Sequence, residues 1–248
     1  MKILGIIPAR FESTRFPGKV LADIMGMSMV ERVYKRALQS KLLEKVVIAT
    51  ESQKVVDHVE KFGGAAILTM AEHASGTDRC FEALKKQEVQ YDYVINIQGD
   101  EPFIDPNQID ELAGLLNGEA ELATLIKKIS TSDELFNFGE VKTVFNEDME
   151  ALYFSRQPIP YLRSIAELDW LQHHDYYKHI GIYAYRCDIL EKISKLPVSP
   201  LEKAESLEQL RWLENGFRIK LAITEHESVC IDTREDLEKV LASMKKAL

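Results

Sequence analysis

Three basic side chains lie close together in "IPARFESTRFPGK", residues 7–19, which follows a short apolar run at the N-terminus. Arg10, Arg15 and Lys19 share this stretch with one acidic residue, Glu12. Arginine binds phosphate oxygens through paired hydrogen bonds, and lysine binds them as a point charge. The stretch therefore predicts an anion site, with a solvated basic loop paired to acidic surface groups as the alternative. It contains neither the GxxxxGK[ST] phosphate loop nor the GxGxxG dinucleotide motif.

Two later aspartates each follow a short apolar run. Asp100 lies in "NIQGDEPFI" and Asp232 lies in "CIDTREDL". A carboxylate at the end of a strand suits Mg²⁺ when the substrate carries phosphates. For Asp100, a simple Gly-Asp turn is an equally good interpretation. For the second motif, the residues alone favour a helix cap by Asp232 or Thr233, with Glu235 completing a capping box.

The stretch "HASGTDRC", residues 73–80, has the composition of a helix start. Ser75 and Gly76 offer small hydrogen-bonding groups there, and Arg79 follows in the first turn. Such a helix start can hold an anion or the polar edge of a base. An ordinary serine or threonine N-cap explains the same residues equally well.

Composition excludes several classes of protein. The chain has 248 residues and a formal net charge of −9, which argues against general binding of nucleic acid or anionic membranes. Its three cysteines are far apart, so neither a disulfide framework nor a structural zinc site is expected. No run approaches the ~20 apolar residues of a membrane helix, and the N-terminal apolar run is too short for a signal peptide. We expect a cytoplasmic protein.

The first half of the chain alternates predicted strands and helices. Apolar runs predict strands over 2–8, 45–50, 65–69 and 92–100, and helical spacing predicts helices over 27–40, 52–64, 76–87 and 106–117. Ser52 is the expected N-cap of the second helix. This alternation predicts an α/β fold, a parallel sheet with helices on both faces.

After about residue 120 the alternation is less regular. Strands are predicted over 121–129, 141–146, 179–186 and 218–224, and helices over 201–215 and 232–248. The aromatic stretch 153–178 has no clean period, which is typical of a lid or an interface. We predict one domain, 1–248, with an inserted subregion for sugar binding and dimerisation at about 125–190.

Seven motifs occur in order along nearly the whole chain: "IIPARFESTRFPGK", "SGTDR", "NIQGDEP", "ALYFSR", "HIGIYAYR", "LEQLR" and "DTREDL". Together they closely resemble the 3-deoxy-manno-octulosonate (Kdo) cytidylyltransferases, also called CMP-Kdo synthetases. The resemblance implies a Rossmann-like nucleotide-diphospho-sugar transferase fold with a mostly parallel mixed sheet, and a homodimer. It also implies the reaction of CTP with Kdo to give CMP-Kdo and pyrophosphate, for lipopolysaccharide biosynthesis.

The resemblance assigns roles to individual residues. Arg10, Arg15 and Lys19 match positions that bind the triphosphate, and Asp100 and Asp232 match Mg²⁺ ligands; these five form the implied catalytic set. The CTP-binding positions implied are Ala9, Arg10, Arg15, Lys19, Ser75, Gly76, Arg79 and Gln98. The sugar-binding positions implied are Gln98, Arg156, His179, Tyr183, Glu208 and Gln209.

Other functions remain open at this point. A related acidic sugar, such as 8-amino-Kdo or a sialic acid, is the nearest alternative substrate; "NIQGDEP" and "HIGIYAYR" favour Kdo over sialic acid. A non-catalytic nucleotide-binding protein of the same fold is the alternative from another class. An NAD-linked oxidoreductase is disfavoured because its glycine motif is missing.

Overall fold

The computed structural model describes residues 1–13, 15–227 and 229–246. Its internal contacts divide the chain into two compact units. The first unit is Met1–Ala113 with Ser228–Leu248, and the second unit is Gly114–Glu227. The subregion predicted at about 125–190 lies within the second unit.

The first unit is built on parallel strands. Its sheet has the order β6-β1-β4-β5, with every neighbouring pair parallel, and β2 and β3 form a separate antiparallel pair. Ile6 and Ile7 are adjacent in β1 and both fully buried, so both faces of this strand are covered. The strands are β1 (Ile3–Pro8), β2 (Asp23–Ile24), β3 (Met27–Ser28), β4 (Lys45–Thr50), β5 (Ala66–Leu68) and β6 (Tyr93–Asn96). The helices are α1 (Met29–Ala37), α2 (Gln53–Lys61), α3 (Gly76–Lys85) and α4 (Pro106–Gly114).

The second unit has a mixed sheet. Strand β7 pairs in parallel with β11 and antiparallel with β10, while β8 pairs antiparallel with both β9 and β10. Its strands are β7 (Leu122–Lys128), β8 (Lys142–Phe145), β9 (Ala151–Ser155), β10 (Tyr177–Arg186) and β11 (Ile219–Ile223). Its helices are α5 (Ser132–Phe136), α6 (Trp170–His173), α7 (Cys187–Ile193), α8 (Pro200–Glu205) and α9 (Gln209–Glu214), and the chain then returns to the first unit as α10 (Arg234–Lys246).

The structure confirms the mixed α/β class and corrects three local predictions. The single helix predicted over 201–215 is wrong, because Ser206 adopts a left-handed conformation with φ of 54° that ends α8 before α9 begins. Ser52 stands at the N-cap position of α2 but makes no side-chain capping hydrogen bond. Strand β9 was missed, since its residues Tyr153–Ser155 fall in the stretch assigned to a lid or interface.

Part of that aromatic stretch is core. Trp170 and Tyr176 are buried in one hydrophobic cluster with Leu135, and their rings stack at a centroid distance of 6.0 Å. Tyr161, in contrast, is 72% exposed. The role of the stretch as a lid or partner surface stays a prediction.

Two features that the composition disfavours, disulfides and membrane-spanning helices, can be examined in the described residues. Cys80, Cys187 and Cys230 all lie in the described ranges, and no disulfide joins them. Across these same ranges, no helix combines the length and the apolar character that a membrane crossing requires.

Candidate active site

The basic loop starts where β1 ends and closes on itself. The Ala9 amide donates to a carbonyl of β4 at 2.8 Å, which keeps the first loop residue attached to the sheet. The Gly18 amide donates to Phe11 O at 2.9 Å, and Gly18 has φ of 72°, a conformation that glycine adopts without strain. Lys19 then begins a short 3-10 turn. The loop geometry therefore fixes where the Lys19 side chain departs.

Lys19 lies between the two predicted metal ligands. Its Nζ is 2.8 Å from Asp100 Oδ2 and 3.1 Å from Asp232 Oδ1, and Arg15 Nη2 is 3.0 Å from the same Asp232 oxygen. Burial favours the neutral amine, but the charges and hydrogen bonds of Asp100 and Asp232 outweigh it and raise the pKa of Lys19. The structure therefore brings together two of the three predicted cations and both predicted carboxylates.

Asp232 is not the residue that caps the last helix. Thr233 caps α10: its Oγ1 accepts from the Asp236 amide at 3.2 Å, and its own amide donates to Asp236 Oδ2 at 2.9 Å. The capping box thus uses Asp236, so the prediction that Glu235 completes it is wrong. Ile231 anchors the segment, because it is fully buried and its amide donates to Asp100 O at 2.9 Å. Asp232 is left to face Lys19.

These side chains line a cavity of about 360 Å³ in the first unit. Its polar groups are mixed in charge, with cations from the basic loop facing carboxylates from two other segments. Arg10 also lines it, and its guanidinium donates to the backbone carbonyl of His73. The lining residues are Pro8, Arg10, Glu12, Ser13, Arg15, Lys19, Val20, Gly76, Gln98, Gly99, Asp100 and Asp232.

The carboxylates of this cavity fit a hard divalent cation. One ligand atom each of Asp100, Asp232 and Cys230 lies within 4.8 Å of the others. Carboxylate oxygens are ligands that Mg²⁺ prefers, whereas a thiol suits softer ions. Burial and the two neighbouring carboxylates raise the pKa of the Cys230 thiol, which keeps it protonated and a poor ligand. The donor set therefore suits Mg²⁺ through the aspartates.

At the start of α3, only one of the three predicted CTP-binding residues lines the cavity. Ser75 caps the helix in a capping box with Asp78, so its hydroxyl is engaged as an acceptor. Gly76 lines the cavity, but the Arg79 side chain is fully buried. Arg79 Nη1 lies 3.3 Å from Glu51 Oε2, while its Nε and Nη2 have no hydrogen-bond partner among the described residues.

The predicted sugar-binding residues of the second unit include an aromatic group in which Tyr183 is buried and His179 is half-buried. The rings of His179 and Tyr183 lie 5.0 Å apart, and Tyr183 meets Trp212 edge-on at 5.0 Å. His179 Nε2 is 3.1 Å from Thr124 Oγ1, whose hydroxyl donates to Ile182 O at 2.6 Å. The imidazole is therefore the donor to Thr124. Burial lowers the pKa of His179 to about 3, which keeps the ring neutral.

The same unit holds the other predicted sugar ligands. Gln209 is buried in α9 and Glu208 precedes it at the N-cap position. The Tyr183 hydroxyl and the Trp212 indole N–H are buried and have no hydrogen-bond partner within the described residues. Trp212 was not predicted; its place on the same helix as Gln209, three positions later, was an available signal.

Arg156 is held by the turn between α8 and α9. Its Nε donates to Glu205 O at 2.8 Å, and its Nη1 and Nη2 donate to the carbonyls of Phe138 and Ser206 at 3.1 and 3.3 Å. Glu205 also accepts from the Arg156 amide at 3.0 Å and from the Ser155 hydroxyl at 2.7 Å. Glu205 was not among the predicted residues, and "KAESLEQ" carries no local signal for this contact.

Comparison with known proteins places the chain in a family. The sequence profile of the family described as "Cytidylyltransferase" matches residues 4–221. The 3-deoxy-manno-octulosonate cytidylyltransferase of Cytophaga hutchinsonii is 53% identical over 97% of this chain and 96% of its own. The enzyme of that name from Parabacteroides distasonis is 50% identical, with 98% of each chain covered. A solved structure of CMP:2-keto-3-deoxy-manno-octonic acid synthetase complexed with CTP is 43% identical, covers both chains fully and has a TM-score of 0.91.

The fold and the cavity of cations and carboxylates thus define a nucleotidyltransferase of the cytidylyltransferase class. The agreement in fold extends over the whole chain, as the resemblance of its motifs implied. The chain belongs to the 3-deoxy-manno-octulosonate cytidylyltransferase family.

Proposed function

We propose that this protein transfers CMP from CTP to the anomeric C2 hydroxyl of Kdo, giving CMP-Kdo and pyrophosphate. The observation that carries the proposal is Lys19 Nζ within 3.1 Å of both Asp100 and Asp232, in a cavity that Arg10 and Arg15 also line. Cations for a triphosphate and carboxylates for its metal are therefore in direct contact. The relatives named for this reaction cover nearly the whole chain.

In the proposed reaction the sugar oxygen attacks the α-phosphorus of CTP, and the bond to the β-phosphate oxygen breaks. The hydroxyl proton passes to water, and the electron pair of the broken bond departs with pyrophosphate. Arg10, Arg15 and Lys19 bind the phosphate oxygens and stabilise the charge that develops on the departing pyrophosphate. The proposal also assigns Ala9, Gly76 and Gln98 to CTP binding. Ser75 and Arg79 would support this site indirectly, since Ser75 caps α3 and Arg79 is buried.

The proposal includes Mg²⁺, held by Asp100 and Asp232. When bound, this ion would neutralise phosphate charge and lower the pKa of the attacking hydroxyl. Asp100 lies four residues beyond the end of β6, and its carbonyl accepts from the Ile231 amide at 2.9 Å. Asp232 immediately precedes Thr233, which caps α10. Both carboxylates are partly exposed, at 25% and 36%, so they are accessible to a cation.

On the sugar side, the proposal assigns Gln98, Arg156, His179, Tyr183, Glu208 and Gln209 to Kdo. An arginine suits the carboxylate of the sugar, and neutral polar groups suit its hydroxyls. The neutral state of His179 fits a hydrogen-bonding role better than that of a cation. A homodimer and a cytoplasmic location complete the proposal, and sedimentation velocity and cell fractionation test them.

The decisive experiment supplies purified protein with CTP, Mg²⁺ and each sugar separately, and measures pyrophosphate release. We expect turnover with Kdo and much less with sialic acid. Turnover with 8-amino-Kdo but not with Kdo would show that the proposed sugar substrate is wrong. CTP binding without turnover of any of the three sugars would favour a non-catalytic protein. Chelation of the metal should stop the reaction, and added Mg²⁺ should restore it.

A further inference from the structure

Glu51 joins the basic loop to a buried arginine, although neither the sequence motifs nor the cavity lining singled it out. It directly follows β4, and its side chain is 13% exposed. Its Oε1 accepts from the Phe11 amide at 2.8 Å and lies 3.4 Å from the Glu12 amide. Its Oε2 lies 3.3 Å from Arg79 Nη1. One carboxylate therefore contacts the start of the loop on one side and α3 on the other.

The contact at Phe11 holds the loop at the residue that closes it. The Phe11 amide is bound by Glu51, and the Phe11 carbonyl accepts from the Gly18 amide at 2.9 Å. Arg10 immediately precedes this residue, and Lys19 immediately follows Gly18. Both peptide groups of Phe11 are thus engaged, so the carboxylate sets the direction in which the two cations leave the sheet edge.

The contact at Arg79 holds the carboxylate itself. The Arg79 side chain is fully buried; its Nη1 donates to Met70 O at 3.2 Å and also to the Thr69 hydroxyl. Burial lowers the pKa of Arg79 and the nearby charge of Arg10 adds to that effect, while the charge of Glu51, and to a lesser degree that of Glu82, opposes it. If Glu51 turned away, the buried guanidinium would lose the larger of its two counter-charges and keep only that of Glu82, which is costly. The pair therefore restrains Glu51 in one position.

We propose that Glu51 is a positioning residue for triphosphate binding, acting through the Phe11 amide on the loop that carries Arg10 and Lys19. This inference rests on the proposed function. Glu51 lies outside the cavity lining given above for the described chain, so it acts on the nucleotide through the loop and not by contact. Its loss should weaken CTP binding selectively, because the loop belongs to the nucleotide side of the reaction.

The test compares Glu51→Ala and Glu51→Gln with the wild-type protein. Calorimetry gives the Kd for CTP with Mg²⁺, steady-state kinetics give KM for CTP and for Kdo, and a thermal melt reports stability. Loss of a hydrogen bond to a charged acceptor predicts a rise of about tenfold or more in Kd and KM for CTP in Glu51→Ala. Glu51→Gln keeps an oxygen for the Phe11 amide, so its Kd and KM for CTP should lie between those of wild type and Glu51→Ala. KM for Kdo should stay within about twofold in both.

The matched control is Glu60→Gln, which removes an exposed carboxylate of α2 in the same unit and should behave as wild type. A Kd for CTP within about twofold of wild type in both Glu51 variants would overturn the inference. So would an equal rise in KM for both substrates with a lowered melting point, since that indicates a general structural role. Should Glu51→Ala fail to fold, Glu51→Gln supplies the same comparison. Wild-type protein that does not bind CTP would overturn the proposed function, and this inference with it.

Discussion

Lys19 Nζ lies 2.8 Å from Asp100 Oδ2, although 81 positions separate the two residues in the chain. Asp232 joins the same ammonium from the far end of the sequence, at 3.1 Å. The negative charge of the carboxylate pair is therefore already shared with a lysine. A metal ion and Lys19 compete for the same oxygens, and a triphosphate competes with the carboxylates for Lys19.

This competition predicts opposite effects of one substitution on two ligands. Lys19→Met should tighten binding of Mn²⁺, used as a probe for Mg²⁺, in the absence of nucleotide, because the carboxylates lose their internal cation. It should weaken CTP binding by about tenfold or more, because a phosphate ligand is removed. Paramagnetic resonance measures free Mn²⁺, and calorimetry measures CTP. Lys61→Met, at an exposed position of α2, is the control. Weaker Mn²⁺ binding in Lys19→Met would contradict the prediction.

Asp100→Ala should abolish pyrophosphate release while the protein stays folded. The reaction loses a metal ligand, and a loss of at least about 100-fold in kcat is expected when charge on the phosphates is no longer neutralised. Folding should persist because the Asp100 side chain is 25% exposed and Lys19 keeps Asp232 as a partner. Circular dichroism and a thermal melt check this, and the melting temperature should stay within about 4 °C of the wild-type value. Full activity in this variant would refute the assignment of Asp100 to the metal.

Arg156→Lys should raise KM for the sugar and leave KM for CTP unchanged. A lysine cannot reproduce the planar fork that Arg156 presents to the carbonyls of Phe138 and Ser206, so its cation should be displaced. A rise of about tenfold in KM for Kdo is expected from the loss of the proposed contact with the sugar carboxylate. Arg163→Lys, at an exposed position in the same unit, is the control. Equal changes in both KM values would argue against a role in sugar binding.

His179 predicts how stability depends on pH. Its pKa is about 3 in the folded protein against 6.5 ordinarily, so the unfolded chain binds more protons between these values. Stability is therefore full above pH 6.5 and falls as the pH drops towards 3, by at most about 1.4 kcal/mol per pH unit. Glu82 and Glu134, with pKa lowered to about 2 from 4.5, act in the same direction only below pH 4.5.

The interval from pH 4.5 to 6.5 therefore isolates His179 from those two carboxylates. Denaturant unfolding of His179→Gln, whose amide can still donate to Thr124, should show a shallower loss of stability there than wild type. His173→Gln, at an exposed position, should retain the wild-type slope. Identical slopes in His179→Gln and wild type would show that the folded protein does not hold His179 in its neutral form.

The sequence predicted the elements that a local pattern determines. The run "KILGIIP" was enough to predict β1, and the loop after a parallel strand was enough to predict a ligand site at that edge. The resemblance of seven motifs added the family, which the full-length relatives confirm. Features that depend on a short stretch of sequence, such as β1 and the loop after it, could thus be predicted from the sequence.

Features that depend on contacts between residues far apart in the sequence could not be predicted. Asp232 and Thr233 were equally good caps by composition; the choice follows from Ile231, which packs with Ile24 and Met29 and fixes the start of α10. The break at Ser206 was missed because neither glycine nor proline marks it. The ion pair of the buried Arg79 with Glu51 was also missed, because Glu51 is remote in sequence and its only local signal was an acidic residue after a strand.

The return of the chain to its first unit has a consequence for synthesis. Residues 114–227 are made between the segment that carries Asp100 and the segment that carries Asp232. During translation the basic loop and one carboxylate leave the ribosome long before their counterpart does. A growing polypeptide therefore holds an incomplete carboxylate pair until Asp232 has been made, so the proposed metal site can form only after the whole second unit has been synthesised.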